Sequence, residues 1–237
     1  MGNTKTFAEK AFDFYTQLEL PTILPKGIIA MNPYQNLKTR EYSRLFLEKY
    51  FNDNRQRIFV FGINPGRFGA GLTGVTFTDP VALKEFCRIS NDFPPRRETS
   101  SEFIYQFIEQ WGGVQKFYRD FFLTAVCPLG FTRDGNNYNF YDHPELLTKV
   151  WPFLLQTISA QLAFGASREA AIILGSGKNY KIFCELNEQG RFFKNIYPLE
   201  HPRFIMQYRR KQRGKYIEKY KEVFARALSE SERVEGS

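Results

Sequence analysis

Cysteine is scarce in this chain of 237 residues: Cys87, Cys127 and Cys184 stand far apart and form no C-x-x-C pair. That excludes a disulfide framework and a cysteine-built zinc site, and it points to a reducing compartment. No apolar stretch approaches the roughly 20 residues of a bilayer span. The first residues carry no hydrophobic signal segment, so a cytoplasmic location is expected, nucleoid-associated if the source is bacterial. Internal repeats are absent, and no pair of carboxylates is placed for acid–base work. Acidic residues are the minority, with 25 Asp and Glu against 33 Lys and Arg, a formal net charge of +8. A basic excess favours polyanionic partners, because neutralising phosphates releases condensed counterions. The excess is concentrated: Arg203, Arg209, Arg210, Lys211, Arg213 and Lys215 follow one another with no acidic residue among them.

The chain does have apolar mass, 43% hydrophobic and 17% aromatic. That is enough for one well-buried domain over residues 1–237. Apolar residues at helical spacing predict an N-terminal helix over 4–18, with Phe7, Ala8, Ala11, Phe12, Tyr15 and Leu18 on one face. Further helical patterns cover 38–50, 101–111, 144–163, 178–189 and 216–228, the last within a basic C-terminal helix over 213–230. Between them, β-branched and aromatic runs predict strands over 57–63, 121–127, 170–174 and 192–197. Strands alternating with helices give an α/β fold: a three-layer α/β/α sandwich around a mostly parallel four-stranded sheet. In open sheets of this kind, ligands bind outside the carboxyl ends of the strands. Asn64 follows the first strand, a polar loop over 130–141 follows the second, and His201 follows the last. The topology therefore gathers these three elements at one edge.

Two segments at that edge carry chemistry. Gly62-Ile63-Asn64-Pro65-Gly66-Arg67-Phe68-Gly69 continues as Gly71-Leu72-Thr73-Gly74-Val75-Thr76-Phe77, and Glu200-His201-Pro202 lies far downstream. Asn64-Pro65-Gly66 alone is a good turn sequence, with Pro fixing φ and Gly tolerating positive φ. A His-Pro pair alone is weak as well, since His143-Pro144 also occurs and there Pro144 opens a helix. Two generic motifs are set aside. Gly69 to Gly74 satisfies G-x-G-x-x-G, but no strand-end acid follows at the right distance; Asp92 sits beside a Pro-Pro-Arg-Arg loop. Gly175-Ser176-Gly177-Lys178 resembles part of a phosphate loop, yet Ile172 stands where the first glycine belongs. The helix beginning at Lys178 still offers N–H groups to a DNA phosphate.

Taken together, these segments resemble the uracil-DNA glycosylase superfamily, and within it the single-strand-selective monofunctional (SMUG) family, as a divergent member. The family's first motif, G-M-N-P-G-x-F-G followed by T-G-V-x-F, is matched at every defining position. The likeness runs from about Gly27 to about Leu228; it is strongest over 62–77, clear over 100–129 and weak around His201. The iron–sulfur branch of the superfamily is excluded, because it needs four cysteine ligands. By resemblance, Asn64 holds the attacking water and His201 donates to uracil O2 as charge builds on the leaving base. Gly66 leaves room beside the base, Phe77 stacks on it, and Ile63 and Phe68 are further wall residues. Val126-Cys127-Pro128-Leu129 resembles the family's C-P-L segment, which leads to G-x-N and puts Asn137 on the base edge, with Asn136 close enough to compete. There the amide donates to a carbonyl and accepts from the ring N–H.

The second motif departs from the family. H-P-S-P-R is usual, whereas this chain reads His201-Pro202-Arg203-Phe204-Ile205-Met206. Phe204, Ile205 and Met206 supply either an apolar wedge between bases or the inner face of a helical turn. Arg203, Phe204, Arg209, Arg210, Lys211 and Lys178 are the expected DNA contacts. The resemblance implies a monomeric enzyme that needs no metal or organic cofactor and excises uracil from DNA, single-stranded or also double-stranded, to initiate base-excision repair. With no nucleophilic Lys or N-terminal Pro in the motif, no lyase step is expected. The alternatives are a glycosylase for another damaged base such as xanthine, a non-catalytic nucleic-acid binder on the same fold, and a hydrolase of free nucleosides.

Overall fold

Phe59 and Phe61 point to one face of the central strand and Ile58 and Val60 to the other, and all four are buried. A strand apolar on both sides must sit inside a parallel sheet with cover above and below. The computed structural model, which describes residues 4–235, has that arrangement. Strand β1 is Ile28–Met31, β2 Arg57–Gly62, β3 Phe121–Ala125, β4 Gly130–Arg133, β5 Asn136–Tyr138, β6 Ala166–Leu174 and β7 Asn195–Leu199. Strands β3, β2, β6 and β7 form the main sheet in that order, all parallel.

Helix α1 is Phe7–Thr16, α2 Leu37–Phe51, α3 Ala70–Thr73, α4 Pro80–Glu85 and α5 Thr99–Trp111. Then come α6 Val114–Asp120, α7 Pro144–Leu162, α8 Lys178–Gly190, α9 Pro202–Tyr208 and α10 Arg213–Glu235. Ring contacts define the layers. On one face Phe59 and Phe122 meet Phe7 of α1, and Phe61 meets Phe183 of α8. On the other, Phe121 meets Trp111 of α5, Phe117 of α6 and Phe224 of α10. Among the described residues, no helix is long and apolar enough to cross a membrane.

The boundaries differ from the periodicity for local reasons. The first helix starts at Phe7 rather than residue 4, because Thr6 and Glu9 form a reciprocal capping box. It ends at Thr16, two residues short of Leu18. The last strand runs over Asn195–Leu199 instead of 192–197. Phe192 and Phe193 are buried just ahead of it, and Pro198 is accepted because β7 is an edge strand.

The larger correction concerns the polar loop over 130–141, which holds two strands. Strand β4 pairs antiparallel with both β1 and β5, making a second, three-stranded sheet. Between β4 and β5, Asp134 and Gly135 have φ of 48° and 72°, the double positive φ of a type I′ hairpin turn.

Candidate active site

Parallel pairing brings the carboxyl ends of the main strands level: Gly62 lies opposite Ala125, and Leu174 opposite Leu199. The ladder extends past the strand ends, with the N–H of Val126 donating to Gly62 O and that of Cys127 to Ile63 O, each at 3.0 Å. Above this edge opens a cavity of about 540 Å³. Its walls include Ile63, Asn64, Gly66, Phe68, Phe77, Asn137, His201 and Arg203, so eight expected site residues converge on one space. Phe204, Arg209, Arg210, Lys211 and Lys178 lie outside its lining.

Asn64 is held by the small sheet. Its Nδ2 donates to Tyr138 O at 3.2 Å, and its Oδ1 accepts the Phe140 N–H at 3.3 Å. These bonds orient the amide and leave an Oδ1 lone pair for a water. Asn137, on β5, accepts the Arg67 N–H on Oδ1 at 3.0 Å. Its Nδ2 thereby becomes the group offered to a ligand, so the amide serves chiefly as a donor rather than equally as donor and acceptor.

His201 precedes α9 and caps it: Nδ1 accepts the Arg203 N–H at 3.2 Å, and Pro202 fills the first helical position. With Nδ1 accepting, hydrogen bonding assigns the ring proton to Nε2, which remains available as a donor. Burial and then the Arg203 charge push the imidazole down to about 4, so it is neutral near pH 7. The preceding residue is anchored by α10, whose Tyr220 hydroxyl donates to Glu200 O and whose Lys219 ammonium bonds the Glu200 carboxylate at 2.8 Å.

Phe77 is both core and wall. Its ring lies 5.6 Å from that of His201, and a Cβ at Gly62 would fall 2.7 Å from its Cζ, so only glycine admits the ring there. The residue is held at φ 57°, an uncommon conformation for an aromatic residue. Phe68 sits at the rim, 36% exposed, with the guanidiniums of Arg96 and Arg67 at 4.5 and 4.8 Å from its ring. Gly66 makes room, but for protein groups: a Cβ there would lie 3.2 Å from Glu98 Oε1 and 3.5 Å from Asn137 Nδ2.

The choice left open after His201 resolves into a helix. Ile205 and Met206 of α9 are buried, whereas Phe204 is 40% and Tyr208 66% exposed, their rings 5.5 Å apart. The basic residues divide by partner. Arg210 and Arg213 approach Glu102 at 3.4 and 3.9 Å, and Arg209 lies over Phe204 at 5.7 Å. The Lys178 ammonium bonds Tyr141 O and lies over the Tyr141 ring at 5.3 Å.

Sequence reasoning missed Glu98, Arg67, Arg97, Ser100, Asn139 and Gln207, which also line the cavity. Ser100 comes from the first turn of α5. Arg97 and Glu98 come from the stretch after Pro94-Pro95, which has no periodicity and no motif. Its only sequence signal is the crowd of charges just ahead of a clear helix.

A sequence model of the uracil DNA glycosylase superfamily matches residues 48–225, three quarters of the chain, and the protein belongs to that superfamily. Among solved structures it is similar to the crystal structure of wild-type SMUG2 from Pedobacter heparinus. The two are 43% identical, with a TM-score of 0.91 over 94% of this chain and 98% of that one. No curated protein matches the chain.

Proposed function

We propose that this protein hydrolyses the N-glycosidic bond of uracil in DNA, as a monofunctional glycosylase acting at the start of base-excision repair. One observation carries the reading: Asn64, Asn137, Phe77 and His201 line the same cavity, with each polar side chain fixed by a backbone bond. The extruded base lies against Phe77, with O2 toward His201 Nε2–H and a second carbonyl toward Asn137 Nδ2. Extrusion costs a few kcal/mol of unstacking, least for an unpaired base. The C1′–N1 bond breaks with its electron pair passing to the base, and the charge gathering on O2 is met by a neutral donor already in place. A water held at Asn64 Oδ1 adds to the oxocarbenium-like sugar, and the proton it loses balances the one the departing uracil anion takes up, leaving neutral uracil and an abasic site. No amine attacks C1′, so no strand scission accompanies the step.

The decisive experiment uses a labelled single-stranded oligonucleotide carrying one uracil, followed by alkali. The parent protein yields scission only after alkali. Asn64→Ala and His201→Ala each lose about 10²–10³-fold in single-turnover rate, the usual loss for one preorganised group. DNA binding without excision would overturn the assignment to uracil. Parallel substrates carrying xanthine or hypoxanthine would then identify the base removed.

A further inference from the structure

Glu98 has no role in that chemistry, yet two glycines of the first motif, Gly66 and Gly69, lie against it. A Cβ at Gly69 would fall 2.2 Å from its Oε2 and 2.7 Å from its Cδ, and one at Gly66 would fall 3.2 Å from its Oε1. Real Cβ atoms essentially never approach as closely as the one at Gly69 would, so a side chain there displaces the carboxylate from its present place, while one at Gly66 would crowd it. Glu98 stands at the N-cap position of α5 but its side chain makes no cap bond, being turned into the cavity instead.

Its backbone is fixed from the other side. The Glu98 N–H donates to Asp79 Oδ2 at 2.8 Å, while Asp79 Oδ1 accepts the Ala82 N–H at 2.8 Å and caps α4. The Asp79 N–H donates in turn to Ser101 Oγ at 3.3 Å. Asp79 is buried two residues beyond Phe77, so the clasp reaches the closing aromatic of the motif as well as its opening turn. Burial and the Asp79 carboxylate raise the Glu98 carboxyl above its ordinary range, opposed by Arg203 and by the amides of Phe68 and Gly69.

We propose that Glu98 is a positioning residue, a strut that sets the Asn64–Gly69 turn against the Phe77–Asp79 segment and so fixes the distance between attacking water and bound base. This rests on the glycosylase reading for its kinetic consequence, but not for the contact itself. A carboxylate near a departing anionic base would be costly if it faced the base alone. Here Arg203 and the turn amides share its charge, which suits a structural strut rather than a base.

The test compares Glu98→Ala, Glu98→Gln, Gly69→Ala and the double variant Glu98→Ala/Gly69→Ala. With the strut removed, the single-turnover rate on uracil DNA should fall about 10–100-fold while KM changes little, since a misplaced reacting geometry costs rate rather than binding. Glu98→Gln keeps an oxygen for the turn amides and should recover most of that loss, which a general packing defect would not. Gly69→Ala expels the carboxylate and should match Glu98→Ala, with the double variant no worse than either. A parental rate in Glu98→Ala, or losses that multiply in the double variant, would overturn the proposal. If the parent protein leaves uracil untouched, the function falls and thermal unfolding decides the strut. Gly69→Ala must then destabilise the parent but not the Glu98→Ala background, and equal effects in both would sink it.

Discussion

At the scale of single residues, protonation of His201 is the most exposed consequence of the site. A neutral imidazole with its proton on Nε2 donates equally well at any pH above its own pKa, which lies at about 4. The rate should therefore show no histidine limb between about pH 5 and pH 8, where an ordinary histidine titrates. Arg203→Ala removes the second of the two causes of the low pKa and should move an acid limb upward into the measured range. A pH–rate profile under single-turnover conditions checks both. Stability moves in a defined direction as well. The unfolded chain takes up the His201 proton near pH 6.5, while the folded protein resists it down to about pH 4. In that window the unfolded state binds more protons, so stability falls as the pH drops and is unaffected above it. His201→Asn should flatten this part of the melting temperature's pH dependence; an unchanged slope would mean that the imidazole is solvated.

At the scale of elements, helix α9 and the β4–β5 hairpin decide what the departures from the family pattern do. The inner face of α9 is structural. Ile205 is fully buried and Met206 nearly so, and truncating either to Ala should cost about 2–5 kcal/mol of stability by denaturant unfolding. The outer face is free to touch DNA. Phe204→Ala should leave unfolding unchanged within about 0.5 kcal/mol. It should weaken DNA binding by about 1–3 kcal/mol if a base stacks on the Phe204–Tyr208 pair. Equal destabilisation by both substitutions would show that Phe204 packs inward. Alternation and periodicity alone left α9 undecided, because seven residues give fewer than two full turns of pattern. The hairpin was hidden for another reason. Strand β5 has three residues, its partner β4 pairs in turn with β1 about a hundred positions away, and Asp134-Gly135 reads equally as loop or hairpin turn. The main sheet was legible because β2, β3 and the second half of β6 are buried on both faces, and Asn64 because it follows one of them. Strand β7 is a half-buried edge strand that the pattern places three residues early, and His201 stood out through the His-Pro pair after it. Glu98 was not legible, since its place is set by the empty side of two glycines and by a bond to Asp79, neither of which leaves a pattern along the chain.

At the scale of the whole molecule, a formal charge of +8 predicts salt-sensitive DNA binding, but the structure divides that charge unevenly. Arg210 and Arg213 already face Glu102, so a phosphate must compete with a carboxylate for them. Lys211 is exposed and has no ion-pair partner among the described residues, and the Arg209 guanidinium donates to Tyr208 O while lying over Phe204. On single-stranded DNA each phosphate contact contributes about 0.7 to the slope of log K against log salt. Lys211→Ala and Arg209→Ala should each lower that slope by about this amount, whereas Arg210→Ala should lower it less. Glu102→Gln, by releasing both arginines, should steepen it. None of the four changes should alter the single-turnover rate once the enzyme saturates its substrate, because none of these side chains lines the cavity. Fluorescence anisotropy across a salt series measures the slopes directly. If Lys211→Ala leaves the slope intact while Arg210→Ala removes a full contact, the strand runs along the Glu102 side of α10 and opens that ion pair as it binds.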